Sequence, residues 1–216
     1  MLYVRFALMA GLVPAAAVTR LVCADITRFL DDGRLGLAGQ HPRPAVIYQL
    51  GAGTAAAGAI MAAPAAAVPA IGIFAGVAAS LATIDNTTGI LPSRIVFPTI
   101  AGGLLMAFLG HGAVDARASA IGAGWAWLVL ALTGTIVGLA AGPRAALGFG
   151  RGDWNLAAAI GAWLGLLPTL AGFVAAMVLM TAMAAWRNSR APAPFGPAFC
   201  AFSVLFFLSD VFGALQ

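Results

Sequence analysis

The chain has 216 residues, 62% of them hydrophobic and 8% charged, with a mean hydropathy of +1.00. Those values exclude an ordinary water-soluble globule. The formal charge of +4 comes from eleven Arg scattered between apolar blocks; they build no basic face, so nucleic acid is not expected as a partner. Cys23 and Cys200 both sit at or inside apolar stretches, which excludes a disulfide scaffold or a four-thiolate zinc site and leaves both as packing residues.

A helix needs about 20 apolar residues to cross a hydrocarbon layer of about 30 Å. Runs of this kind predict an all-α, polytopic membrane helix bundle of about eight transmembrane helices, over 4–22, 46–63, 66–84, 95–111, 119–141, 154–167, 168–185 and 197–214. The whole chain, 1–216, reads as one membrane-embedded domain. Arg5 ahead of an apolar run and the small residues at Ala15-Ala16-Ala17 resemble a secretion signal, but the first run is expected to stay as a helix. The sixth and seventh spans form a single apolar run, and Pro168 after Gly165-Leu166-Leu167 offers a place to fold back. That leaves the sixth about 21 Å long, too short to cross fully.

Counting Arg on each side gives an orientation. With the amino terminus outside, the inner loops hold Arg20, Arg28, Arg34, Arg43, Arg94, Arg144, Arg151, Arg187 and Arg190, leaving Arg5 and Arg117 outside. The Ala/Gly run from Gly51 to Gly58 follows no strand, so it reads as helix packing and not as a nucleotide loop.

Acidic side chains are costly in a membrane, so the seven Asp carry most of the functional information. Asp25, Asp31 and Asp32 fall in the first inner loop, Asp115 in a short outer loop, and Asp210 near the outer end of the last span. Asp85 and Asp153 differ, because each lies where an apolar helix meets an inner loop. Asp85 opens Asp85-Asn86-Thr87-Thr88-Gly89, which could be a turn. Asp153 closes Gly150-Arg151-Gly152-Asp153, where it could be a helix N-cap.

Together the two offer chemistry that neither offers alone. Two carboxylates about 3 Å apart cannot both ionise, so one keeps a proton to polarise a peptide carbonyl while the other deprotonates water. Such a pair titrates as a unit. The competing reading is a membrane transporter or a proton or cation channel with Asp85 and Asp153 as relay groups. A metal site is not expected, since His41 and His111 are predicted on opposite faces, and neither cysteine has a nearby His to activate it.

Three blocks resemble the type IV prepilin peptidases, aspartyl intramembrane proteases with a Gly-x-Gly-Asp motif. They are Ile84-Asp85 through Leu91-Pro92, Gly150-Arg151-Gly152-Asp153 with Gly161-Ala162-Trp163-Leu164-Gly165, and Pro194-Phe195-Gly196-Pro197. Their order agrees as well, so the motif-bearing core spans about 46–214. The resemblance implies Asp85 and Asp153 as catalytic, with Gly150, Gly152, Pro92, Asn155, Pro194, Gly196 and Pro197 in support and no cofactor. It implies cleavage of a prepilin or pseudopilin precursor at the cytoplasmic face of the inner membrane. The chain departs from the pattern at Asn155, where many members have lysine, and at Thr87 and Ser93. The loop from Cys23 to Ala45 is short and lacks a Cys-x-x-Cys pair, which implies a peptidase-only form without methyl transfer.

Overall fold

The computed structural model describes residues 2–31, 46–62, 67–141, 150–187 and 195–213. Among them are eight helices: α1 (Leu2–Asp31), α2 (Val46–Ala62), α3 (Val68–Thr88), α4 (Ser93–Phe108), α5 (Ala116–Ala141), α6 (Arg151–Leu164), α7 (Leu166–Arg187) and α8 (Gly196–Gly213). The expected all-α membrane bundle of about eight helices is what forms. Four stretches, Tyr3–Arg28, Val68–Thr88, Ala116–Leu139 and Leu166–Met183, are long and apolar enough to cross a membrane, and Val46–Met61, Ser93–Phe108 and Gly196–Phe207 are shorter apolar helices. Large apolar side chains also face outward, with Leu139 80%, Phe108 78% and Leu167 76% exposed. A surface of that kind suits hydrocarbon, where apolar side chains incur no cost.

Helix α1 differs from expectation. It runs through Pro14 to Asp31, so Arg20, Asp25 and Arg28 sit on a helix and not in a loop. Asp25 is not merely solvated there: its carboxylate pairs with the Arg94 guanidinium at the start of α4, with N···O distances of 3.1 and 3.3 Å. The pair ties the extension of α1 to the turn that follows α3.

The break between α6 and α7 also falls elsewhere. It lies at Gly165, whose φ of 83° and ψ of −179° is a region open mainly to glycine. Pro168 instead occupies the first turn of α7, where its missing N–H leaves no hydrogen bond unmade. At 14 residues α6 is as short as its sequence suggests. Leu156 through Leu164 are all buried in it, making α6 the central element of the bundle.

Small residues and aromatic side chains fix α6 there. Any Cβ on Gly122 of α5 or Gly161 of α6 would run into the other's backbone, so the two helices cross at glycine-only separation. The Ser119 hydroxyl donates to the Ala162 carbonyl at 2.6 Å. Trp163 stacks on Phe74 of α3 with centroids 5.3 Å apart, and its indole N–H donates to the Thr99 carbonyl of α4 at 2.8 Å. Thus α3, α4 and α5 are all registered against α6, and through it against Asp153.

Candidate active site

Asp85 lies in the last turn of α3 and not in a loose turn. The hydroxyls of Thr87 and Thr88 donate to the Thr83 and Ile84 carbonyls at 2.8 Å each, satisfying themselves within the helix and letting it continue. The helix stops at Gly89, which takes φ 64° and returns its N–H to the Asp85 carbonyl at 2.8 Å. Asp85 is consequently held on a rigid element and is 5% exposed.

A buried carboxylate requires a donor, and Asp85 finds one far along the chain. Its Oδ2 accepts the backbone N–H of Gly196 at 2.8 Å. Gly196 begins α8, where the first amides lack helical partners and are free to bind an anion. A Cβ at Gly196 would stand 2.8 Å from Asp85 Oδ2, so the contact needs glycine. Pro197, next in the first turn of α8, lacks the N–H that would otherwise be left over there. Pro194 lies outside the described residues.

Asp153 is not the N-cap of α6. Gly150 holds that position with extended backbone, and Asp153 is three residues on, its Oδ2 accepting the Gly150 N–H at 3.0 Å while its own N–H donates to the Gly150 carbonyl at 3.0 Å. This reciprocal pair closes the glycine motif into a small ring. Gly152 then packs on the Leu91-Pro92 segment, where a Cβ would lie 3.2 Å from Leu91 Cβ. Pro92 is the extended N-cap of α4, so the first and second motifs touch through Gly152 and Leu91.

Asp153 stands ahead of the apolar part of α6. Burial pushes its carboxyl up to about 6, the Gly150 hydrogen bond lowers it, and the charge on Asp85 raises it again. Burial is thus the main cause of the rise, and the charge on Asp85 adds to it. Among the described residues no three His, Cys, Asp or Glu gather to hold a metal ion, and His41 lies outside those residues.

Not every expected residue points at the site. Asn155 accepts the indole N–H of Trp127 on α5 at 3.2 Å, beside an edge-to-face contact of Trp127 with Trp154 at 6.1 Å. Its side chain is thus engaged by α5 at the surface of the bundle. Tyr48 of α2, by contrast, went unremarked in the sequence, yet it lines the same cavity as Ala82, one turn before Asp85, and Pro197, next to Gly196. Its position, three residues into an apolar helix, was the available signal.

Residues 72–185 match the model of the type IV leader peptidase family. The chain is 35% identical over 168 residues to a prepilin leader peptidase/N-methyltransferase of Burkholderia pseudomallei (strain 1026b), covering 70% of this chain and 50% of the relative. It is also 35% identical over 129 residues to one from Dickeya chrysanthemi, covering 56% and 44%, and 36% identical over 126 residues to one from Aeromonas hydrophila, covering 55% and 41%. The chain thus spans about half the length of the curated relatives it matches, and no solved structure matches it significantly. The match takes in both aspartates and the helices α3 to α7 that hold them, and it makes this multi-pass membrane protein a member of the type IV leader peptidase family.

Proposed function

We propose that the chain is an aspartyl endopeptidase that removes the leader from prepilin-like precursors, with Asp85 and Asp153 as its catalytic pair. The observation that carries this reading is the packing of Gly152, next to Asp153, on Leu91 of the Asp85 motif, beside which burial raises Asp153 to about 6 and the charge on Asp85 adds to the rise. Family membership gives the reaction class, since the relatives named above are leader peptidases.

The neutral carboxyl donates its proton toward the scissile carbonyl oxygen, and the ionised one takes a proton from the attacking water. The tetrahedral intermediate then collapses: the amine leaves with the proton gathered from water, and a hydroxyl proton of the intermediate returns to the first carboxylate as the C=O re-forms. Gly196 and Gly150 keep each acid aimed through backbone amides, and Gly152 keeps the two motifs packed together. The Arg distribution supports a site that opens to the cytoplasm from the inner membrane. The short segment between α1 and α2, with no Cys-x-x-Cys pair, supports peptidase activity without methyl transfer.

The test is co-expression of a prepilin precursor with the wild type, Asp85→Asn or Asp153→Asn, followed by the precursor's size on a gel. Both substitutions abolish processing while membrane insertion persists. Cleavage by either variant would overturn the pair, and ion flux lost on the same substitutions without any cleavage would favour a transporter.

A further inference from the structure

A cavity of about 560 Å³ lies between α2, α3 and α8, within the size range of sites that bind ligands. Its walls are small and apolar, with Gly51 and Ala55 from α2, Ala82 from α3 and Ala201 from α8 among them. The groove follows α2 from Tyr48 to Ala55 and α8 from Pro197 to Leu205, about two helical turns or ~12 Å. On its rim Ile47 is 74% and Leu205 57% exposed, so it opens sideways from the bundle.

We propose that this groove receives an apolar helical segment of the precursor, contiguous with the bond being cut, entering laterally from the bilayer. The inference rests on the peptidase reading above and adds where the substrate lies. Three observations select that occupant. The groove adjoins Asp85, since Ala82 is one turn before it, Pro197 adjoins its partner Gly196, and Tyr48 lies within electrostatic reach of its carboxylate. Its side chains offer little to a polar guest: the Thr54 hydroxyl is turned back onto the Leu50 and Gly51 carbonyls, leaving the Tyr48 hydroxyl at the end nearest Asp85. An apolar groove among membrane helices demands a chain whose backbone bonds are already satisfied, which is a helix, and Gly and Ala walls let a helix approach closely.

The test fills the groove without disturbing the acids. A Cβ on Gly51 meets nothing within 4 Å, and the same holds for Gly124 on α5, outside the groove. Both Gly→Leu changes also favour the helix. In bilayer nanodiscs, Gly51→Leu raises KM for a membrane-inserted precursor at least tenfold with kcat within twofold, while Gly124→Leu changes neither. Ala201→Trp, on the exposed side of α8, provides the second obstruction and gives the same KM increase. An unchanged KM in folded Gly51→Leu or Ala201→Trp overturns the groove. Asp85→Asn is run in parallel: if it is inactive while the groove variants behave as wild type, only the groove fails, and if it still cleaves, the peptidase reading fails first.

Discussion

The carboxylate of Asp85 and the backbone amide of Gly196 meet at 2.8 Å across 111 residues of sequence. The contact joins the end of α3 to the start of α8 and gives a buried acid its donor from the backbone. Among the described residues this backbone amide is the hydrogen-bond donor recorded for the Asp85 carboxylate.

Gly196→Ala tests that relationship. Its Cβ would fall 2.8 Å from Oδ2 and 3.1 Å from Cγ of Asp85, so either the carboxylate or the start of α8 must move. The expected result is at least a tenfold fall in precursor processing at unchanged membrane insertion. Wild-type processing by this variant would mean that the amide is not needed to hold the acid.

Gly152 predicts a graded series. An alanine there meets Leu91 Cβ at 3.2 Å, a contact relieved by a shift of a few tenths of an ångström. Gly152→Ala is expected to slow processing by roughly two- to fivefold, and Gly152→Val by more, with about 1–3 kcal/mol of lost stability from overpacking. Equal rates for the two, measured with thermal stability, would show that the Leu91 contact does not set the spacing of the motifs.

Asp153 carries a pH signature that needs no substrate. Its folded value of about 6 lies above the ordinary 3.8, so between these two the native state binds the extra proton. Stability from this group then falls as pH rises from about 4 to about 6 and is flat above, the slope following the difference in bound protons. Asp153→Asn removes the penalty, stabilising the protein at pH 7–8 by up to about 3 kcal/mol while abolishing cleavage. Melting curves between pH 4 and 8 check this, and an unchanged slope in the variant would contradict it.

Asn155 is expected to be structural. Asn155→Ala removes the 3.2 Å bond to Trp127, which costs about 1 kcal/mol, and processing stays within threefold of wild type. A large loss of activity at full stability would instead put Asn155 on the substrate.

Much of the fold was legible because apolar run length maps directly onto helix length in a membrane. The spans expected at 46–63, 119–141 and 197–214 form helices at Val46–Ala62, Ala116–Ala141 and Gly196–Gly213. Misreadings arose where polar residues ride on a helix. Arg20, Asp25 and Arg28 read as a loop by charge, but α1 carries them on, with Asp25 paired to Arg94. The Asp-Asn-Thr-Thr-Gly stretch read as a possible turn, but its two threonines bond back into α3.

Composition and spacing alone determined a multi-helix membrane protein, its short sixth helix and the two acids worth watching, since hydrophobic run length and the cost of charge in hydrocarbon are local properties of the chain. Only the tertiary structure decided that Gly196 donates to Asp85, that Gly152 leans on Leu91, and that Tyr48 shares a groove with Ala82 and Pro197, beside the Asp85–Gly196 contact. Those are contacts between segments far apart in sequence, set by how closely glycine and alanine let helices approach, and no single segment encodes them.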